Sequence, residues 1–174
     1  MISILVNSLL HRHDTPMTDF HHMPGHLIRR LHQIGVSVFQ DRMKAAGIDL
    51  TPVQFAALAA LRDHPGRDQA TLAGLIAYDR ATIGGVVDRL EAKGLVAREI
   101  SPHDRRARIV SLTSGGRALL ATVTPLVAAA QADMLPGLTE AERQTFLDLA
   151  ARAAAAGNHL SRAPLVLPEP EREA

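Results

Sequence analysis

The sequence predicts a mainly α-helical protein that carries a small β-wing, and three observations support this fold class. Apolar residues recur at helical spacing along most of the chain. Aromatic residues make up only 3% of it, and alanine-rich runs favour helix over sheet. Strands are indicated only at 96–100 and 108–112, around a tip that holds Arg105 and Arg106. A short helix followed by such a hairpin is typical of a winged helix-turn-helix.

Composition limits the function classes. At 174 residues and 47% hydrophobic content the chain can bury a core, and one domain is expected. The absence of cysteine excludes disulfides and thiolate metal sites and predicts a cytoplasmic protein. The net charge is only +1, so nucleic-acid binding would depend on arginines clustered between residues 80 and 108. No apolar run approaches the roughly 20 residues of a membrane span, and residues 1–10 lack the basic flank of a signal peptide.

The first three helices are predicted from periodicity and caps. Apolar residues keep helical spacing over residues 25–46, and Gly47 closes that segment. Thr51-Pro52-Val53-Gln54 forms a capping box with proline at the first helical position, so a second helix begins there and ends near Asp63. Asp68 begins a third, short helix, which forms the helix-turn-helix pair with the fourth.

The fourth helix is the element around which the chain is organised. Asp79 is predicted to cap it and Gly94 to end it. Its buried face is the apolar stripe Ile83, Val86, Val87 and Leu90, and its other face carries Arg80, Thr82, Gly84, Gly85, Asp88 and Arg89. Each glycine costs about 1 kcal/mol relative to alanine in a helix interior. Either close approach to DNA or tight packing against a neighbouring helix must compensate.

The remaining helices are apolar enough to need a partner. Thr113 caps a long fifth helix, which Pro125 is expected to kink, and a capping box from Thr139 to Glu142 opens the last one. We expect residues 25–47 and 114–160 to form dimerisation helices around a DNA-binding lobe at 48–113. Residues 1–24 are expected to be an extension, poorly ordered or dimer-associated, with Met17 as an alternative start. Residues 161–174, rich in proline and glutamate, are expected to be mobile.

Several of these motifs together resemble the MarR family of bacterial winged-helix regulators over residues 25–156. The motifs that carry the resemblance are Leu72-Ala73, Asp79 to Thr82, Val87 to Glu91, Lys93 to Val96, Asp104-Arg105-Arg106, and Val110 to Thr113 followed by Gly116. The resemblance implies a homodimer on a pseudo-palindromic double-stranded DNA operator, usually a repressor released by a small phenolic or aromatic-acid ligand. Residues 24–31 and the glycine pair are similar to members that control the breakdown of aromatic acids.

DNA-contacting residues are predicted on the third and fourth helices and on the wing. Arg80 and Thr82 are expected at base edges or nearby phosphates, and Arg89 at the DNA backbone. Arg105 and Arg106 suit a narrow minor groove. Asp104 is expected to hold an arginine in position, as the family pattern implies, with a solvated charged turn as the alternative. The full set is Gln69, Thr71, Arg80, Thr82, Gly84, Gly85, Arg89, Asp104, Arg105, Arg106 and Arg108.

The resemblance also implies an effector site between the dimerisation helices and the DNA-binding lobe. There an arginine can pair bidentately with a carboxylate, and a histidine can bond a ring hydroxyl or nitrogen. Surface or intersubunit salt bridges are the alternative role for the arginines. The predicted ligand-binding residues are His26, Arg29, Arg30, His32, Phe39 and Phe55.

Other function classes find little support. The chain has no glycine-rich phosphate loop, no Gly-x-Ser-x-Gly elbow, no His-Glu-x-x-His and no cysteine nucleophile, so we predict no enzyme and no cofactor. His22 and His26 are four residues apart, with His21 and His32 nearby, yet no carboxylate joins them at a recognised metal-binding spacing. A metal-responsive or ligand-independent DNA-binding protein of the same fold is the alternative.

Overall fold

The computed structural model describes residues 19–101 and 108–168, and it confirms the mainly helical fold with a small antiparallel sheet. Two single 3-10 turns, Phe20–His22 and Asn158–Leu160, flank the helices. The helices are α1 (Pro24–Ala45), α2 (Pro52–Asp63), α3 (Gln69–Leu75), α4 (Ile83–Ala92), α5 (Ser114–Met134) and α6 (Glu140–Ala156); the strands are β1 (Arg67–Asp68), β2 (Val96–Ile100) and β3 (Arg108–Leu112). Within the described ranges, every helix is too short or too polar to span a bilayer.

The chain divides into two compact units at Ser37, and α1 contributes to both. In the first unit, Asp19 organises the 3-10 turn: its carboxylate accepts from the His21 amide at 3.0 Å and lies 2.7 Å from Nδ1 of His22. The ring of His26 packs against Phe20, with centroids 4.3 Å apart. The part of α1 in this unit exposes apolar side chains, among them Ile28 at 66%.

The second unit contains the hydrophobic core. The stripe predicted for the fourth helix is confirmed, because Ile83, Val86, Val87 and Leu90 are each at most 2% exposed. It packs with buried residues of α2, α3, β3 and α5, namely Ala57, Leu58, Leu61, Leu72, Ala73, Val110, Leu120 and Val123. The core therefore fixes which face of α4 points outward.

The predicted caps of α2, α3, α5 and α6 are present. In α2 the Gln54 amide donates to Oγ1 of Thr51 at 3.3 Å, and the Thr51 amide donates to Oε1 of Gln54 at 3.2 Å. The capping box of α6 has the same reciprocal bonds. Asp68 caps α3 through the Thr71 amide at 2.9 Å. These caps are determined by local sequence, which explains why the pattern predicted them.

The prediction that Asp79 caps α4 was wrong. The Asp79 carboxylate accepts from the Ala81 amide at 2.8 Å, and its carbonyl oxygen accepts from the amides of Thr82 and Ile83 at 3.1 Å. These bonds close a turn before the helix, so α4 begins at Ile83. Arg80 and Thr82 consequently lie in the turn that leads into α4. The predicted end is correct, since Gly94 adopts a φ of +68° just after the helix.

The wing strands have the predicted bounds. β2 and β3 pair antiparallel from Val96 opposite Leu112 to Ile100 opposite Arg108. A third strand was not predicted: Arg67 pairs with Val110 and Asp68 with Ile109, so β1 is the second neighbour of β3. Two residues are too few to show a period in the sequence. This pairing fastens the segment before α3 to the wing.

The fifth and sixth helices follow the wing. The hydroxyl of Thr113 accepts from the Gly116 amide at 3.0 Å, which confirms the predicted cap of α5. α5 continues through Pro125 as one helix, and the predicted kink stays a prediction. In α6 no residue is buried within the single chain.

The residues after α6, predicted to be mobile from position 161, are held in place as far as the structure describes them. Asn158 Nδ2 donates to the Leu165 carbonyl oxygen at 2.9 Å, and the Leu165 amide donates to Oδ1 of Asn158 at 2.7 Å. The Val166 amide donates to the Gly74 carbonyl oxygen of α3 at 2.9 Å. We call residues 163–168 the C-terminal strap. For residues 169–174, outside the described ranges, mobility stays a prediction.

Gly116 offers a direct test of the packing between α5 and the wing. A Cβ added at Gly116 would lie 2.0 Å from the Leu95 carbonyl oxygen, a backbone atom that cannot rotate away. We expect Gly116→Ala to lower the free energy of unfolding by about 1 to 3 kcal/mol in urea titrations. Gly115→Ala is the matched control, because its Cβ would meet its nearest atom at 3.5 Å. Equal effects of the two substitutions would contradict this packing.

Candidate DNA-binding interface

The turn before α4 presents a free cation. Arg80 is exposed and makes no ion pair with any residue in 19–101 or 108–168. Thr82 is exposed as well, and its hydroxyl donates to the Asp79 carbonyl oxygen at 3.1 Å. That bond fixes the hydroxyl and leaves its oxygen able to accept a hydrogen bond from a base amino group. The turn thus holds two groups suited to DNA at the start of α4, which we call the recognition helix because it is predicted to contact DNA.

The glycine pair leaves two positions at the start of the outward face of α4 without side chains. A Cβ added at Gly84 would lie 3.7 Å from Oε1 of Gln69, and one added at Gly85 would lie 3.7 Å from Nη2 of Arg89. Both are ordinary van der Waals distances, so the described neighbours leave room for alanine at each position. Tight helix packing therefore does not explain the glycines. Close approach of another molecule to the helix backbone stays a prediction.

Arg98 of β2 joins the wing to the recognition helix, and the sequence analysis missed it. Its Nη1 donates to Oε2 of Glu91 at 2.9 Å, and its Nη2 contacts Oδ1 of Asp88. When the side-chain amide of Gln69 is oriented with its oxygen toward Arg98, that oxygen accepts a hydrogen bond from Nε of Arg98 at 3.0 Å. One partly buried guanidinium thus connects α3, α4 and β2. The only signal in the sequence was an arginine in a wing strand opposite two acids on the preceding helix.

This network also sets the charge of the surface. Asp88 is 65% exposed on the outward face of α4, where a lone carboxylate would repel phosphate. Arg98 pairs with Asp88 and offsets this repulsion, although the same guanidinium also pairs with Glu91. Beside the pair lies an open groove of about 530 Å³, lined by Gln69, Gly84, Asp88, Arg98 and Arg108. Arg89 and Arg108 are exposed, so the surface around the groove carries a surplus of positive charge.

Thr71 is exposed near the start of α3, but its hydroxyl already makes a hydrogen bond within the protein. It donates to Oδ2 of Asp68 at 2.9 Å, in addition to the bond from the Thr71 amide. Burial alone would raise the pKa of Asp68, yet these bonds outweigh it and hold the pKa below its ordinary value. Asp68 is therefore ionised at neutral pH and anchors α3. The other predicted DNA contacts, Asp104, Arg105 and Arg106, lie outside the described residues.

The predicted effector residues fall into two groups. In the second unit, Phe39 and Phe55 form an aromatic pair with ring centroids 6.1 Å apart, and Phe39 is only 4% exposed. In the first unit, Arg29 donates to Oε1 of Gln33 at 2.9 Å, while Arg30 and His32 are exposed. Neither arginine forms a salt bridge among the described residues of the single chain, and the intersubunit salt bridges stay an alternative.

Among the predicted effector residues, His26 has a buried ring nitrogen. Its Nδ1 is buried and has no hydrogen-bond partner among the described residues. Desolvation lowers the pKa of His26, and the nearby charges of Arg29, His21 and Arg30 lower it further, so the ring is mainly neutral at pH 7. His22 is paired with Asp19. Across the described part of the chain, no three His, Asp or Glu side chains are grouped so that they could hold a metal ion.

Comparison with known proteins identifies the family. A sequence model of the MarR family matches residues 48–107, which span α2 to the wing. The HTH-type transcriptional repressor NicR of Pseudomonas putida is 41% identical over 125 residues, a match that covers 72% of this chain and 78% of NicR. The protein belongs to the MarR family. MarR-family members are DNA-binding regulators, so the prediction that the chain is not an enzyme is confirmed.

Solved structures of MarR-family regulators share the fold. BpsR of Bordetella bronchiseptica, solved to explain how 6-hydroxynicotinic acid regulates its DNA binding, is 36% identical with a TM-score of 0.72; the match covers 78% of this chain and 95% of BpsR. The repressor CouR, solved on a 23-mer DNA duplex, is 33% identical with a TM-score of 0.71, and the match covers 81% and 99% of the two chains. The predicted family and winged-helix fold are thus confirmed for this MarR-family protein.

Proposed function

We propose that this protein is a homodimeric transcriptional repressor that binds an inverted-repeat operator in the cytoplasm and is released by a small aromatic acid or phenol. The observation that carries the proposal is the surface of the turn and α4. Arg80 makes no ion pair with any described residue, the described neighbours of the two glycines leave room for a Cβ, and the acid Asp88 is paired with Arg98. Such a surface admits the edge of a DNA duplex and attracts its phosphates.

The dimer is supported by apolar residues that the single chain leaves uncovered. α6 buries none of its residues, and Leu147 and Leu149 are 53% and 56% exposed. Exposed leucines on a regular helix favour association with another helix. Two recognition helices must lie about 34 Å apart to enter successive major grooves, and a two-fold axis supplies that spacing. A second copy of this chain therefore both covers the leucines and completes the DNA-binding surface.

The effector class is supported by chemistry and by the relatives. Phe39 and Phe55 offer aromatic faces, and Arg29 and Arg30 offer guanidinium groups that a carboxylate can engage bidentately. The DNA binding of BpsR, a relative of similar fold, is regulated by 6-hydroxynicotinic acid, which belongs to this effector class. Binding of such an acid is proposed to favour a dimer whose recognition helices are wrongly spaced for the operator.

Gel-shift assays on the DNA upstream of the gene test the proposal. The purified dimer should shift a fragment that contains an inverted repeat, and 6-hydroxynicotinic acid or a related aromatic acid should release it. Benzamide and cyclohexane carboxylate serve as controls that lack the carboxylate or the aromatic ring. A shift that no acid in a broad panel reverses would support ligand-independent DNA binding by the same fold, and the absence of any shift would reject the whole proposal.

The glycine pair gives a prediction in which stability and DNA binding change in opposite directions. Gly85→Ala is expected to raise the free energy of unfolding by up to about 1 kcal/mol, because alanine is the better helix former and its Cβ meets no close atom. Operator affinity should nevertheless fall, because the methyl group projects toward the DNA. Urea titration and fluorescence anisotropy measure the two effects. Unchanged operator affinity would show that the DNA does not approach the helix at this position.

A further inference from the structure

Gln69, the first residue of α3, is held at both its backbone and its side chain. The residue before it, Asp68, caps α3 through the Thr71 amide at 2.9 Å and pairs with Ile109 of β3. The side-chain amide of Gln69 meets the guanidinium of Arg98 on β2. Because both ends are fixed, the fold determines the direction in which Gln69 presents its polar atoms.

Arg98 decides which end of the Gln69 amide faces inward. A guanidinium group has five N–H donors and no acceptor, so only the amide oxygen can face it favourably. In that orientation the oxygen accepts from Nε of Arg98 at 3.0 Å and from Nη2 at 3.2 Å. Both bonds that the amide makes within residues 19–101 and 108–168 thus belong to its oxygen. Its NH2 group stays available to another molecule.

The guanidinium of Arg98 is itself held by two acids of the recognition helix. Its Nη1 donates to Oε2 of Glu91 at 2.9 Å, and the Arg98 amide donates to Oε1 of the same carboxylate at 3.2 Å. Its Nη2 contacts Oδ1 of Asp88. Since these pairs keep Arg98 in place, rotation of the Gln69 amide by 180° would set its NH2 against N–H donors and lose both bonds.

Gln69 lies where the start of a recognition helix is accessible from outside. It lines the open groove of about 530 Å³ together with Gly84 and Arg108. A Cβ added at Gly84 would have the Gln69 amide as its nearest neighbour, at 3.7 Å. In helix-turn-helix proteins the first residues of the recognition helix contact base edges in the major groove. The amide of Gln69 is therefore placed beside the part of α4 that base edges approach.

The bonds from Arg98 change what this glutamine can recognise. An unconstrained glutamine pairs bidentately with adenine, because its oxygen accepts from N6 and its NH2 donates to N7. The oxygen of Gln69 already accepts two bonds, so only the donor remains. Guanine and thymine present acceptors in the major groove, whereas cytosine presents an amino donor. An amino donor facing the NH2 group of Gln69 would leave both groups unpaired.

We propose that Gln69 is a specificity-determining residue that donates one hydrogen bond to a base acceptor in the operator, and that Arg98 is the positioning residue that gives it this polarity. Arg98 acts through the amide and has no contact with the base. The proposal rests on the proposed function, since it names what the same DNA-binding surface recognises. One position in each half-site should therefore favour guanine or thymine and reject cytosine.

Gln69→Glu tests the polarity while it keeps the bond to Arg98. One glutamate oxygen can still accept from the guanidinium, and the second replaces the NH2 donor with an acceptor. Fluorescence anisotropy is measured on operators in which each half-site position carries each of the four base pairs in turn. The unsubstituted protein should lose about 2- to 12-fold in affinity when cytosine replaces the acceptor base at one position. Gln69→Glu should reverse that preference, because the amino group of cytosine donates to a carboxylate.

Arg98→Met tests the positioning role. Without the guanidinium the amide can turn either way, so discrimination against cytosine at that position should fall to within about twofold, while discrimination elsewhere in the half-site remains. Circular dichroism establishes whether the variant is folded, and the reversal in Gln69→Glu decides the polarity even if it is not. Arg152→Met, at an exposed position of α6, is the matched control and should keep the whole preference pattern.

Three results would contradict parts of this account. If Gln69→Glu keeps the original base preference, or lowers affinity equally at every position, Gln69 does not donate to a base. Unchanged discrimination by folded Arg98→Met would overturn the role of Arg98. Failure of the unsubstituted protein to bind any inverted repeat would instead refute the proposed function, and the base preference of Gln69 with it.

Discussion

Replacing Arg80 with alanine is expected to weaken operator binding by about 5- to 150-fold, which corresponds to the loss of one good base or phosphate contact. Arg80 is exposed, it precedes the recognition helix, and no described acid neutralises it. The turn that holds it is closed by backbone bonds from Thr82 and Ile83 to Asp79, which do not involve the Arg80 side chain. The substitution should therefore leave stability unchanged while it removes the contact.

Arg152→Ala on α6 is the matched control, because it removes the same charge from an exposed position away from the turn. Footprinting adds a spatial test. Arg80→Ala should weaken protection at the major-groove half-sites, whereas Arg106→Ala should weaken it at A·T-rich flanks, where a narrow minor groove attracts arginine. Equal losses across the site for both variants, or an equal loss of affinity for Arg152→Ala, would contradict the assignment of Arg80.

A saturating aromatic acid is expected to lower operator affinity by about 5- to 150-fold, the range that coupling free energies of about 1 to 3 kcal/mol produce. Arg29 and Arg30 of α1 are exposed and form no salt bridge among the described residues, so Arg29→Ala should weaken binding of the acid by about 10-fold or more, the cost of a charged hydrogen bond. Operator binding without the acid should be unaffected. Anisotropy on labelled operator and calorimetry with the acid alone measure the two quantities separately.

Phe55→Leu tests whether an aromatic contact contributes to binding of the acid. Phe55 is half-buried and pairs with Phe39, whose deeper burial makes it a poor target because its truncation would disturb the core. Loss of an aromatic contact should weaken acid binding by about 2- to 12-fold. Arg29→Ala and Phe55→Leu proteins that are released as readily as the unsubstituted protein would move the effector site elsewhere.

Local features of the sequence predicted much of the fold. The apolar stripe of α4, the bounds of β2 and β3 and the capping boxes at Thr51 and Thr139 each depend on residues a few positions apart, so spacing alone reveals them. The start of α4 was misplaced for a related reason. An aspartate that caps a helix and one that closes a turn before it have the same local sequence signature.

What the sequence could not show depends on contacts between distant segments. Arg98 gains its role from Asp88, Glu91 and Gln69, which belong to two other elements. The strap looked mobile because proline prevents regular structure there, but proline does not prevent an extended segment from docking through the bonds at Leu165 and Val166. For the site residues, the pattern identified the exposed arginines, while only the structure showed which of the described ones are already paired.

The mass of the protein on its own operator tests the account most directly. Light scattering of the purified complex with the upstream inverted repeat should give two chains per duplex. Insertion of about five base pairs between the half-sites, which turns one half-site to the opposite side of the DNA, should remove tight binding. A single chain per duplex, bound equally well with and without the insertion, would contradict a two-fold pair of recognition helices.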